Sequence, residues 1–331
     1  VSLAKDAIPA FDDVRTAAER LDGIAVRTPL LRSAVLDEMT GGTVFLKPET
    51  LQRTGSFKFR GAFNAIASMD AASRRRGVVA CSSGNHAQGI AAAAAHFGIP
   101  ATIVMPKDAP ALKRERTRAH GADVVLYDRA TENREAIAAG IVEETGAEFV
   151  SPYDDARVIS GQGTAGMEIA GQVADAGARL DTVLVPCGGG GLTAGVSLAI
   201  KALSPETDIV TVEPEAFDDT ARSFVSGSRE RNPALSGSIC DALLSLQPGE
   251  LTFQVNRKLV SRGVSVSDGE ALAAVAFAWR DLKLVVEPGG AVALAAIMTG
   301  KVDTGGKTLA VVLSGGNADP GLYGRALAGD G

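Results

Sequence analysis

Short apolar runs rich in β-branched residues alternate along this chain with longer stretches whose apolar positions recur at helical spacing. The runs predict strands at Thr43–Leu46, Val78–Cys81, Ala101–Met105, Asp123–Tyr127, Thr182–Pro186, Asp208–Val212 and Thr308–Leu313. The longer stretches predict helices at Asn85–Phe97, Thr131–Thr145, Gly166–Ala176, Thr193–Leu203 and Gly269–Leu282. Strand–helix alternation of this kind implies an α/β fold, a parallel sheet with helices on both faces. Open sheets of that type bind ligands beyond the carboxyl ends of their strands. Three of those ends run into loops of small residues: Ser82-Ser83-Gly84-Asn85-His86, Cys187-Gly188-Gly189-Gly190-Gly191 and Ser314-Gly315-Gly316-Asn317.

A length of 331 residues suits two domains or one large one. With 46% hydrophobic and 22% charged residues the chain is not disordered. The net charge of −6 offers no basic excess for a nucleic-acid backbone. The longest apolar runs, such as Ala271 to Trp279, fall well below the roughly 18 residues of a membrane helix. The N-terminus lacks a basic-then-apolar leader pattern, so a cytoplasmic protein is expected. Cys81, Cys187 and Cys240 form no CxxC pair and no metal spacing; they read as small buried apolar residues in a reducing compartment.

The four glycines Gly188 to Gly191 follow an expected strand and open an expected helix. Without Cβ atoms the backbone there can wrap an anion, and amides at a helix start point toward it. Gly189-x-Gly191-x-x-Ala194 also matches a dinucleotide fingerprint, with Glu213 at the end of the next expected strand as its acidic partner. An NAD-binding oxidoreductase is therefore one reading, and a binding protein without catalysis is another. Lys58 stands between Phe57 and Phe59, an apolar setting that would lower its pKa and suit it to Schiff-base chemistry. The hydroxyls and amide of Ser82 to Asn85 at a helix N-terminus suit a carboxylate.

Together, KPETLQRTGSFKFRGA, SSGNHAQG, GQGTAGMEIA, PCGGGGL, VEPGGA and SGGN resemble the fold-type II pyridoxal-phosphate enzymes of the threonine/serine dehydratase and serine racemase group, across nearly the whole chain. The resemblance implies two open twisted parallel-sheet domains with the cofactor in the cleft between them. The large one would take residues 1–70 and 155–331, and a small mobile one residues 71–154. Lys58 would hold pyridoxal 5′-phosphate, Gly188, Gly189, Gly190, Gly191 and Leu192 would cradle its phosphate, and Asn85 would bind the ring 3′-oxygen. Phe57 would pack on the ring and Ser314 would face its nitrogen. Ser82, Asn85 and His86 would hold the substrate carboxylate, and Arg134 aligns loosely with a substrate-contacting arginine. Ser83 would face the cofactor side opposite Lys58, giving the second acid–base group that racemisation needs. Glu213, Asp219 and the Phe217 carbonyl would bind Mg²⁺ or Ca²⁺, whose preference is for such oxygens. A homodimer acting on a small amino acid is implied. Only 14 residues follow Asn317, so no regulatory domain is expected. Ser151-Pro152-Tyr153-Asp154 and DALLSLQPGELTF look more like bacterial dehydratases than racemases. The expected activity is elimination of the β-hydroxyl of L-threonine, L-serine or 3-hydroxyaspartate to a 2-oxo acid and ammonia, with racemisation as the alternative.

Overall fold

The computed structural model describes residues 3–109, 111–234 and 236–329. Its strands are β1 (Leu31–Arg32), β2 (Thr43–Pro48), β3 (Val78–Cys81), β4 (Ala101–Pro106), β5 (Asp123–Tyr127), β6 (Glu148–Phe149), β7 (Thr182–Pro186), β8 (Asp208–Pro214), β9 (Arg262–Val266) and β10 (Thr308–Leu313). The helices are α1 (Phe11–Leu21), α2 (Ala34–Thr40), α3 (Lys58–Ala67), α4 (Ala71–Arg76), α5 (Asn85–Phe97), α6 (Ala111–Ala119), α7 (Arg134–Thr145), α8 (Ala156–Asp175), α9 (Gly191–Leu203), α10 (Asp219–Ser226), α11 (Glu250–Leu259), α12 (Asp268–Arg280), α13 (Pro288–Met298) and α14 (Pro320–Ala328).

The strands form two sheets, one in the order β1-β2-β10-β7-β8-β9 and one in the order β5-β4-β3-β6. Every pairing is parallel except β1 with β2. The larger sheet is buried on both faces, and its strands show the period-two alternation this requires. Leu184, Leu309, Val311 and Leu313 pack into the core beneath α12 and α13. Their neighbours Val183, Val185, Ala310 and Val312 pack into the opposite core with Ile169, Val196 and Ile200 of α8 and α9. In the smaller sheet Val78, Ala80, Ile103 and Met105 face α5, while Val79, Cys81 and Val104 face α7.

All four strands of the smaller sheet lie between residues 71 and 154. Its core reaches further, taking Phe59, Ala62, Phe63 and Ile66 of α3 together with Val158. The helix that starts at Lys58 is thus packed under the smaller sheet while its first residue follows a β-bridge to the larger one, Ser56 to Gly315.

One expected helix start is corrected. The helix expected from Gly166 begins ten residues earlier, at Ala156, where Asp155 caps it by accepting from the amides of Arg157 and Val158. The glycines of GQGTAG lie inside this helix and serve packing. A Cβ on Gly163 would lie 2.7 Å from the Gly195 carbonyl, and one on Gly195 would lie 2.3 Å from the Ile159 carbonyl. α8 and α9 approach backbone to backbone where only hydrogen fits.

Candidate active site

The carboxyl ends of β3, β7 and β10 open on one cleft of about 570 Å³. Phe57, Lys58, Ser82, Ser83, Asn85, His86, Arg134, Gly188 to Leu192 and Ser314 all line it. Residues from separate parts of the sequence are thereby brought together. Glu213, Phe217 and Asp219 are not in the cleft wall.

Lys58 enters α3 through a constrained turn. Thr54 has φ 59°, an unusual conformation for a β-branched residue, and Gly55 follows at 73°. The turn is tied down by the Phe57 amide donating to the Ser314 carbonyl and by Asn317 Nδ2 donating to the Thr54 carbonyl at 2.8 Å. Lys58 Nζ donates to the Pro152 carbonyl at 2.6 Å and lies 5.1 Å from the Phe57 ring centre. Among the described residues no carboxylate pairs with it, and desolvation lowers its pKa to about 8. An amine in this state is far more available as a nucleophile or base near neutral pH than an exposed lysine.

Asn85 is locked in orientation. Asn317 Nδ2 donates to its Oδ1 at 2.8 Å, and its Nδ2 donates to Glu287 Oε1 at 2.5 Å. Burial raises the Glu287 pKa to about 7, with the nearby negative charge of Asp241 adding to the shift. The neighbouring His86 ring is turned away from ligand duty. Its Nε2 meets the Val150 carbonyl at 3.1 Å, and burial, reinforced by the Lys58 charge, lowers its pKa to about 3. The ring is therefore neutral, with Nε2 as its donor and Nδ1 without a partner. Any hold of His86 on a carboxylate comes from its backbone amide in the first turn of α5, where helix amides have no intrahelical partner.

The glycine loop is built for close approach. A Cβ on Gly189 would sit 2.4 Å from the Tyr153 ring, and one on Gly191 would sit 2.9 Å from Gln162 Oε1. Gly190 has φ 91°, in the left-handed region that only glycine adopts freely. The first-turn amides of α9 start from this loop and, as at any helix start, have no intrahelical acceptor, which suits an anion.

Charge around the mouth is uneven. Lys113 pairs with Asp241, and Arg134 Nε pairs with Glu135 at 2.7 Å. Asp154 spends its carboxylate on the amides of Glu250, Leu251 and Thr252 at the start of α11. Arg229 and Arg231 also line the cleft, and among the described residues neither has a carboxylate partner.

Glu213 is fully buried beyond the cleft, where it accepts from the amides of Thr220 and Ala221 at 3.0 and 2.8 Å. That placement is wrong for a ribose-binding acid and removes the structural support for a dinucleotide. Asp219 is also fully buried; its Oδ1 accepts from Asn232 and its Oδ2 has no partner. Burial raises both carboxyl pKa values, Asp219 to about 7, and the charge of Asp219 adds to the shift at Glu213. Cys81, Cys187 and Cys240 are buried free thiols whose pKa values burial raises, so none is poised as a nucleophile.

Sequence reasoning missed Pro152, Tyr153, Glu287 and Asn317 as site residues. VEPGGA and SGGN contain the last two, but neither motif shows which side chain its acid or amide will meet.

Residues 22–315 match the family model described as pyridoxal-phosphate dependent enzyme. The chain is 46% identical to an L-threo-3-hydroxyaspartate ammonia-lyase of Pseudomonas sp., over 97% of this chain and 99% of that protein. It is 44% identical to an L-threonine ammonia-lyase of Thermotoga maritima, over 96% of this chain and 78% of that protein. The solved structure of maize serine racemase superposes with a TM-score of 0.91 at 37% identity, covering 97% of this chain and 98% of that one.

Proposed function

The chain belongs to the pyridoxal-phosphate dependent enzyme family, and from that premise we propose that it removes the β-hydroxyl of an L-β-hydroxy amino acid, releasing a 2-oxo acid and ammonia. The observation that carries this reading is the lysine of lowered pKa sharing one cleft with a Cβ-free anion loop. When bound, pyridoxal phosphate supplies a conjugated ring that takes up the electron pair left on the substrate's α-carbon. The residues fit such a group: Gly188 to Leu192 for the phosphate, Asn85 for the 3′-oxygen, Phe57 and Ser314 for the ring, Lys58 for its aldehyde carbon.

The work of the protein then divides by position. The Ser82–Asn85 loop and the amides of α5 bind the substrate carboxylate. The Lys58 amine, uncharged above about pH 8, takes the α-proton onto Nζ. Ser314 would meet the ring nitrogen with a neutral hydroxyl rather than an acid, which would disfavour prolonged storage of charge and favour prompt loss of the hydroxyl. Closure of residues 71–154 over the substrate excludes water. Ser83 lines the same cleft and supports slow racemisation as a side reaction.

Among the hydroxy amino acids, Arg229 and Arg231 favour one with a second carboxylate, 3-hydroxyaspartate, because neither has an acid of its own. Beyond the cleft, a divalent cation such as Mg²⁺ or Ca²⁺ would neutralise Glu213 and Asp219 and occupy the free Oδ2. Among the described residues no third His, Cys, Asp or Glu joins them, so the Phe217 carbonyl would complete the set. Exposed Val26, Leu51 and Val285 lie beside the turn that carries Lys58 and suit a homodimer contact, testable by light scattering. The three free thiols agree with a reducing compartment such as the cytoplasm. Among the described residues no helix is long and apolar enough to cross a membrane.

The test is release of ammonia and oxo acid from L-serine, L-threonine and L-threo-3-hydroxyaspartate, before and after chelation and with Mg²⁺ restored. Residual substrate is analysed for its D-enantiomer. We expect elimination to exceed racemisation, the highest kcat/KM on 3-hydroxyaspartate, and a rate that falls on chelation. No elimination from any of the three would overturn the reading. Indifference to chelator would remove the metal alone.

A further inference from the structure

The segment DALLSLQPGELTF, whose first nine residues line the cleft, leads into α11 directly behind the glycine loop. Thr252 and Asn256 are four residues apart and therefore share a face of that helix. Thr252 Oγ1 donates to the Gly189 carbonyl at 2.7 Å, and the Gly249 amide donates to the same oxygen at 3.1 Å. Asn256 Nδ2 donates to the Gly190 carbonyl at 3.1 Å.

A trans peptide is planar, with its carbonyl and amide pointing opposite ways. Fixing the Gly189 and Gly190 carbonyls toward α11 therefore fixes the amides of Gly190 and Gly191 away from it. Four glycines in a row have little conformational preference of their own; the Gly190 carbonyl also accepts from the Ala194 amide of α9 at 2.9 Å, and the side chains of α11 add to that hold and extend it to Gly189. Asn256 leaves its own Oδ1 buried without a partner, a cost that an apolar residue filling the same space would not incur. The start of α11 is itself held by the three amide bonds to Asp154, two residues after the carbonyl that holds Lys58.

We propose that Thr252 and Asn256 are positioning residues for the cofactor phosphate, acting by turning the glycine-loop amides toward it. The inference rests on the cofactor reading above. Its test separates the phosphate from the rest of the ligand. The full chain is freed of cofactor and titrated with pyridoxal and with pyridoxal 5′-phosphate, following absorbance and protein fluorescence. The ratio of the two dissociation constants measures what the phosphate contributes.

In Thr252→Val, which keeps the side-chain shape and loses the donor, the ratio should fall by roughly tenfold, the scale of one lost hydrogen bond to an aligned group. Binding of pyridoxal should be unchanged. Asn256→Leu should behave alike, and Thr252→Ser should restore the ratio. An unchanged ratio would overturn the proposal, as would equal weakening of both ligands, since α11 would then support the fold only. If the unaltered protein binds neither ligand, the cofactor reading itself fails and this inference falls with it.

Discussion

Glu287 is buried, hydrogen-bonded to Asn85, and has a carboxyl pKa raised to about 7. The folded protein therefore holds a proton there over a range in which the unfolded chain has released it. Stability from this group is fully present below the ordinary carboxylate pKa of about 4.3 and is lost as pH rises through about 7. Glu287→Gln removes the charge and keeps the acceptor for Asn85. The cofactor-free variant should melt a few degrees higher than the parent above pH 7 and equally at pH 4. Parallel melting curves for the two proteins across that range would show that Glu287 does not titrate as described. The apolar setting of Lys58 was legible in the sequence because two phenylalanines bracket it, while its place at the cofactor rests on the family motifs. The role of His86 was only half legible, because its ring's partner, Val150, lies far away at the end of the smaller sheet.

At the level of elements, α3 is anchored by a buried ionic cluster. Arg60, two residues after Lys58, makes paired bonds to Glu49 at 2.7 and 2.8 Å and to Glu168 at 2.7 and 2.9 Å. Lys47 Nζ reaches the same Glu168 at 2.6 Å. The cluster joins the end of β2 and helix α8 to the helix that begins at Lys58. Arg60→Met would leave buried carboxylates without their partner, a change worth about 3–5 kcal/mol. Chemical denaturation should show a loss of that size, and a loss under ~1 kcal/mol would mean the cluster is no anchor. None of this could be read from SFKFRGA, where Arg60 looks like one more surface arginine. The same limit hid the first half of α8, because glycines that permit helix contact resemble glycines that end a helix. β1 and β6 escaped notice because two residues carry no periodicity, and β9 escaped it as a half-buried edge strand.

For the molecule as a whole, most of the architecture was written in the apolar pattern. The central strands β3, β7 and β10 coincide with the expected runs because each is buried on both sides and leads into a small-residue loop, and the partly buried edge strand β5 coincides as well. Site composition was legible for the same reason, since parallel sheets put their strand ends together. What the pattern could not give is how the two sheets share material. α3 belongs to the core of the smaller sheet yet follows a bridge to the larger one. Contacts between the two sides also join at single points, Lys113 with Asp241 and Arg116 with Asn317, which no local pattern announces.

The central claim is that Lys58 is the residue that holds the cofactor. Borohydride reduction of the purified protein loaded with pyridoxal phosphate, followed by peptide mapping, tests it most directly. The pyridoxyl group should be found on the peptide bearing Lys58 and be absent there in Lys58→Ala. A label on another lysine, or none on the unaltered protein, would contradict the account.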